Sequence, residues 1–136
     1  MSQYDSAMWY SRKHLIIDGG GVGLSVSGTN AAAADLYRCI LTENVTIDEM
    51  AVVANTGGTA AGPVCVLNTS LAGTGALTPI GTFKVGTTAN NTNLPAITVA
   101  STTLSAGDHL VLQVAAGTAA VTPKFTICIG YKTNLV

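Results

Sequence analysis

The sequence predicts a single all-β domain built from antiparallel strands. Its 136 residues suit one domain. Short apolar runs alternate with clusters of Gly, Asn, Thr and Pro, which is the spacing typical of a sandwich or a barrel. No long segment has the 3.6-residue apolar period of a helix. We therefore expect strands near residues 12–18, 23–28, 36–42, 45–54, 63–69, 79–85, 96–103, 108–115 and 123–132.

The clearest strand is predicted over residues 123–132. Apolar side chains at Phe125, Ile127 and Ile129 alternate with the side chains between them, and this period of two turns one face inward. The segment from Asp108 to Val114 repeats the pattern, with its leucines on one face and His109 on the other. His109 is therefore expected on the solvent face.

The run from Val45 to Ala54 changes its parity. Val45 and Ile47 are apolar at odd positions, whereas Met50 and Val52 are apolar at even positions. A slip of one residue at Asp48-Glu49 predicts a β-bulge or a bend there, since sandwiches use such irregularities where strands turn between sheets. Between two other strands, Asn30 to Leu36 is expected to form a single helical turn.

Composition limits the classes of partner. Only 10% of the residues are charged, which favours a surface that is covered in an oligomer or a larger assembly. A lone domain coated with Thr, Ser and Asn is the alternative. The net charge is −1 and the six Lys and Arg residues are scattered, so we expect no nucleic-acid partner.

The three cysteines are expected to be free thiols. Cys39, Cys65 and Cys128 are an odd number, widely spaced, and each lies in an apolar run. This suits folding in a reducing cytoplasm. The first twelve residues lack the apolar core of a signal peptide, and no apolar run is long enough to span a bilayer. We expect no membrane partner.

No motif predicts catalysis, a metal or a cofactor. The glycine-rich segment 18–23 lacks the third glycine and the following helix of a phosphate-binding loop, so a hinge is the simpler interpretation. Asp48 and Glu49 are neighbours in a strand and would point to opposite faces. A cupin-like metal site would require His14 and His109 to meet beside a carboxylate. We therefore predict that the chain is not an enzyme.

The N-terminal segment carries the strongest signal for a binding function. Aromatic residues, Met and Arg are enriched in interface hot spots, and the segment concentrates them ahead of the first clear strand. The predicted partner-binding residues are Tyr4, Met8, Trp9, Tyr10, Arg12 and Lys13. The segment could instead fold back as an edge strand on its own body. We assign residues 1–18 to an N-terminal arm with the first strand and residues 19–136 to the body.

Three segments resemble the small jelly rolls of phage virions. They are Leu36–Leu41, the C-terminal strand from Phe125 to Lys132, and Ile97–Val114 with its turn Leu104-Ser105-Ala106-Gly107-Asp108-His109-Leu110. That turn recurs in small jelly rolls of phage heads and fibres and of the tumour-necrosis-factor and complement-C1q type. The resemblance covers about residues 34–132 and implies an antiparallel two-sheet jelly-roll sandwich.

Among such proteins, the chain resembles the capsid cement (decoration) proteins of tailed bacteriophages. The resemblance implies a structural protein of the virion that folds in the host cytoplasm, binds the outside of the capsid and cements neighbouring capsomers. Its partners would be the major capsid protein and further copies of itself, as a homodimer or homotrimer. The alternative is a receptor- or glycan-binding jelly-roll module of a phage tail fibre or a trimeric adhesin.

Overall fold

Strands account for all the regular structure in the part of the chain that can be described. The structure is a computed structural model, and it describes residues 12–18, 24–25, 29–30, 34–56, 64–72, 74–85, 89–114, 117–118 and 124–134. These residues form twelve strands, and no helix occurs among them. The strands are β1 (Arg12–Ile17), β2 (Leu24–Ser25), β3 (Thr29–Asn30), β4 (Ala34–Ile40), β5 (Val45–Thr56), β6 (Cys65–Ser70), β7 (Thr78–Phe83), β8 (Thr92–Asn93), β9 (Thr102–Leu104), β10 (His109–Val114), β11 (Gly117–Thr118) and β12 (Lys124–Thr133).

The strands form two main antiparallel sheets. The first has six strands: the path β1-β12-β5-β8, with β2 also pairing with β12 and β9 with β5. The second has four strands in the order β4-β10-β6-β7, and β11 and β3 form a separate pair. The chain crosses between the sheets several times, because β4, β6, β7 and β10 belong to one and β5, β9 and β12 to the other. The predicted two-sheet jelly-roll sandwich is confirmed.

The core lies between the two sheets, and strand alternation decides which residues enter it. Phe125, Ile127 and Ile129 of β12 are completely buried. Leu110, Leu112 and Val114 of β10 belong to the same apolar cluster. The rings of Phe83 and Phe125 meet edge to face, with centroids 5.2 Å apart and planes at 77°. The alternation predicted for both strands is confirmed.

The predicted irregularity in β5 is a β-bulge at Asp48. Glu49 is opposite Gly130, whereas Ile47 is opposite Tyr131, so Asp48 is the extra residue. Because of this extra residue, Val45 and Ile47 before the bulge and Met50 and Val52 after it all point into the same core. A second register shift, at Asn55, separates Ala54 opposite Phe125 from Thr56 opposite Lys124.

Two predicted elements are wrong. The strand expected over 96–103 is reduced to Thr102–Leu104, because the preceding segment crosses between the sheets instead of joining one ladder. The backbone amide of Leu94 donates to Val52 O in the six-stranded sheet, and that of Ala100 donates to Ile80 O in the four-stranded sheet. The helical turn expected from Asn30 to Leu36 is also wrong, since Ala34–Leu36 belong to β4, whose pairing with β10 outweighs the local preference.

Candidate interaction surfaces

The structure describes only the base of the predicted N-terminal arm. Tyr4, Met8, Trp9 and Tyr10 lie outside the described residues. Arg12 begins β1 and pairs through its backbone with Lys132. The ammonium group of Lys13 lies 3.1 Å from Glu43 Oε1, and both side chains are about half exposed. This ion pair joins the start of β1 to the loop between β4 and β5, and an exposed pair of this kind stabilises by at most about 1 kcal/mol.

A small pocket opens beside this ion pair, at the edge of the sandwich formed by β1 and β4. We call it the edge pocket; its volume is about 220 Å³. Its lining is mainly apolar and includes Leu15, Val45 and Leu110, while Tyr37, Tyr131 and Glu43 supply hydrogen-bonding groups. Burial, followed by the neighbouring Cys39 thiol, raises the pKa of Tyr37. The edge pocket can therefore accept an apolar group that carries one polar atom.

A row of apolar residues crosses the outer face of the six-stranded sheet, beside polar neighbours that include His14, Glu49 and the Lys132–Asp48 ion pair. Ile16, Cys128 and Ala51 lie side by side across β1, β12 and β5. The side chain of Ile16 is 62% exposed. Next to this row, a shallow groove of about 490 Å³ runs between β5 and the segment from Asn93 to Ile97. We call the row and the groove together the apolar face; its residues are Ile16, Ala51, Val53, Cys128, Leu94, Pro95 and Ile97.

The centre of the outer face of the four-stranded sheet carries polar side chains that bond to one another, and Ile40 at its edge is 62% exposed. Asp35 accepts from Arg38 at 2.9 Å and from Gln113 at 2.7 Å. Arg38 Nη1 lies 3.1 Å from His109 Nδ1. Asn68 Nδ2 lies 3.4 Å from Gln113 Oε1, which extends the chain of bonds to β6. We call these five side chains the polar network.

The polar network surrounds an apolar side chain and alters one pKa. Val111 is opposite Arg38 and Asn68 in the neighbouring strands and is 0% exposed, although it lies outside the core cluster. The hydrogen bonds from Gln113, and then those from Arg38, lower the pKa of Asp35. Part of the Arg38 guanidinium charge is thus already balanced within the sheet.

Asp108 holds one end of the sandwich together. Its carboxylate accepts from the backbone amides of Ser105 at 2.9 Å and Ala72 at 3.0 Å, and these bonds lower its pKa. Its carbonyl accepts from Leu41 N at 2.9 Å. One residue therefore connects the turn before β10 with the loops that follow β4 and β6. The Gly-Asp turn singled out in the sequence is structural, because its positive φ of 95° at Gly107 needs glycine and its aspartate binds backbone.

The candidate reactive groups do not come together. His14 lies on the outer face of the six-stranded sheet and His109 on the outer face of the four-stranded sheet, so the core separates them. Within the described ranges, no three His, Cys, Asp or Glu side chains are grouped as metal ligands would be. Burial raises the pKa of Cys65 to about 12, which makes it a poor nucleophile. The described residues also contain no helix with the length and apolarity needed to cross a bilayer.

Two of the surfaces were not predicted from the sequence. The polar network joins residues up to 78 positions apart, and no local pattern shows this pairing. The apolar face had a weak signal, since Ile16, Cys128 and Val53 occupy the outward positions of alternating strands where polar residues are usual. Apolar residues on both parities of β1 and β12 could have indicated it.

The comparisons with known proteins concern the fold. No protein-family model matches the sequence, and no curated protein matches it. Among solved structures, the chain is similar to one from the capsid asymmetric unit of cyanophage Pam1, with 22% identity, 90% of this chain and 85% of that chain covered, and a TM-score of 0.52. The likeness establishes a shared fold.

Two further similar structures come from infectious bursal disease virus, one of the Gx strain and one a subviral particle of VP2. They are 11% and 10% identical, have TM-scores of 0.49 and 0.47, and are matched over 32% and 33% of their own length. In both, 90% of this chain is covered.

Proposed function

We propose that the chain is a structural protein of a bacteriophage virion that binds the outside of the capsid and cements neighbouring capsomers. The observation that supports this most directly is the likeness to a chain of a cyanophage capsid over 90% of this chain and 85% of that chain. The major capsid protein and further copies of the chain are the proposed partners.

The apolar face is the surface that we propose contacts the capsid. Ile16, Ala51 and Cys128 form a continuous row, and the adjoining groove offers a recess for side chains of a partner. Burial of apolar surface contributes about 25 cal/mol per Å², so such a face gains from being covered. A capsid presents the same site many times, and copies that are linked to one another would bind with the added strength of multivalency.

The proposal assigns no chemical reaction to the chain. His14 and His109 are on opposite sides of the core, and the Cys65 thiol is buried with a raised pKa. Backbone amides lower the pKa of Asp108, and hydrogen bonds from Gln113 and Arg38 lower the pKa of Asp35. Both aspartates thus have structural roles. The shifted pKa values of Cys65, Asp108 and Asp35 therefore have structural explanations that require no substrate.

The test compares one negative charge placed on each sheet. Ala51 and Thr82 are both exposed and lie on the outer faces of the six-stranded and four-stranded sheets respectively. Virus particles that lack the chain are mixed with purified wild type, Ala51→Glu or Thr82→Glu, and bound protein is measured after sedimentation. We expect Ala51→Glu to lower the affinity at least about tenfold, because an unpaired carboxylate would be buried in the contact.

The control variant is Thr82→Glu, which adds the same charge to the four-stranded sheet and is expected to bind like wild type. If wild-type protein fails to bind the particles, the cement function is wrong. If all three proteins bind equally, the function stands and the assignment of the apolar face is wrong.

A further inference from the structure

The edge pocket has the size and the lining of a receptacle for one aromatic side chain. Its volume is about 220 Å³, and a cavity of about 150 Å³ is large enough to bind benzene in a protein core. Leu15, Val45 and Leu110 provide apolar walls, and Glu43 and Tyr131 provide groups that accept a hydrogen bond. A buried indole needs an acceptor for its N–H, so tryptophan matches this combination.

The chain carries one tryptophan, and it lies just before the pocket in the sequence. Trp9 is three residues ahead of Arg12, the first residue of β1. Lys13 pairs through its backbone with Tyr131 and through its side chain with Glu43, and both of these residues line the pocket. The arm therefore joins the body at the rim of the edge pocket.

The short connection argues against insertion of Trp9 into the pocket of its own chain. A chain reversal takes four residues, and the four residues that end at Arg12 are Trp9, Tyr10, Ser11 and Arg12 itself. Such a turn would leave Trp9 beside Arg12, whereas the pocket is lined by Leu15, which lies three residues, or about 10 Å, further along β1. An arm that continues away from β1 avoids this restriction, because each extended residue adds about 3.3 Å of reach.

We propose that Trp9 of one copy occupies the edge pocket of a second copy, so that exchanged arms link the subunits. The indole lies among Leu15, Val45 and Leu110, and its N–H donates to the polar rim. This link is between copies of the chain and stands whether or not the chain binds a capsid. It assigns the predicted hot spot at Trp9 to self-association and leaves the apolar face for another partner.

Trp9 reports on its own surroundings because it is the only tryptophan. The full-length protein is separated by size, and the mass and the tryptophan emission maximum are measured on the same species. We expect an oligomer with blue-shifted emission and, on dilution, a monomer with the emission of exposed tryptophan. Blue-shifted emission in a monomer would show binding to its own body and overturn the proposal, as would exposed emission in the oligomer.

Two variants test the pocket itself against a matched control. Cys39→Phe fills the edge pocket from its wall, whereas Cys128→Phe adds the same bulk to the other half-buried cysteine, on the apolar face. We expect Cys39→Phe to give a monomer with exposed Trp9 and Cys128→Phe to behave like wild type. Equal association of Cys39→Phe and wild type would overturn the proposal.

Trp9→Ala keeps the proposal testable if Cys39→Phe does not fold. Loss of a hot-spot tryptophan weakens association by about 30-fold or more, and the body is unchanged. An unaltered dissociation constant for Trp9→Ala would overturn the proposal by itself.

Discussion

The outer faces of the two sheets differ in the polarity of the residues at their centres. On the four-stranded sheet, Asp35, Arg38 and their neighbours are bonded to one another across three strands. On the six-stranded sheet, the corresponding surface is a row of Ile16, Cys128 and Ala51 beside a groove. The five polar side chains of the first face are partnered within their own sheet, and Ile40 at its edge is 62% exposed, whereas the centre of the second face is an apolar row.

This difference is the reason for proposing that a partner covers the apolar face and that the polar network faces solvent. Side-chain hydrogen bonds that are satisfied within one molecule offer little to a second molecule, since forming new bonds would first break existing ones. Apolar side chains have no hydrogen bonds to give up when they are covered, and they gain free energy when water is excluded. The inner faces of the two sheets do not differ in this way, because both supply the same core.

The largest expected effect contrasts Val111 with Ala51. Val111→Asp buries a charge in the middle of the polar network, where Arg38 is already bonded to Asp35 and His109, and should lower the free energy of unfolding by more than about 3 kcal/mol. Ala51→Asp adds the same group to the exposed apolar face and should cost less than about 1 kcal/mol. Urea denaturation of both variants checks this. Equal free energies of unfolding for the two variants would mean that the two faces tolerate an added charge equally well, contrary to this comparison.

The cysteines sharpen the comparison through their reactivity. At pH 8, a thiol with a pKa of about 12 is ionised in roughly one molecule in ten thousand, so Cys65 should react with a thiol reagent at least about 100-fold more slowly than Cys128. Mass spectrometry of labelled peptides with time gives both rates.

On capsids, Cys128 should become protected from the thiol reagent because it lies on the apolar face. Unchanged labelling of Cys128 on decorated particles would exclude that face as the contact.

The smallest expected effect is a dependence of stability on acid. The bonds from Gln113 and Arg38 lower the folded-state pKa of Asp35, so its contribution is complete above the ordinary aspartate pKa of about 3.9 and is lost as the pH falls through the lower folded-state value. Because Asp35 is exposed, the effect should stay below about 1 kcal/mol. Unfolding measured from pH 7 to pH 2 should show a shallower loss for Asp35→Asn and for Gln113→Ala. An identical dependence of the unfolding free energy on pH in wild type and Asp35→Asn would show that the polar network does not contribute to stability through Asp35.

The sequence predicted those features that depend on neighbours along the chain. Alternation identified the buried side of β12 and β10, and the parity change between Ile47 and Met50 located the bulge at Asp48. It did not predict the bulge at Asn55, because no change of burial parity marks it before Thr56. The crossing segment 94–101 resembled a strand, since its apolar residues also alternate, and only its bonds to both sheets show otherwise.

The candidate surfaces were harder to predict than the fold. The polar network depends on which strands become neighbours, and the pairing of β10 with both β4 and β6 is a property of the whole topology. The roles of Tyr4, Met8, Trp9, Tyr10, Arg12 and Lys13 stay predictions, as does the division of the chain at residue 18. Only the backbone position of Arg12 and the ion pair of Lys13 add structural detail to them.

An electron cryo-microscopy reconstruction of virus particles carrying the chain tests the central claim most directly. The account predicts density for the jelly roll on the outside of the shell, with β1, β12 and β5 against the major capsid protein and the sheet that contains Arg38 toward solvent. The same density with the four-stranded sheet against the shell would contradict the comparison of the two faces. Particles that contain no density for the chain would contradict the proposed function.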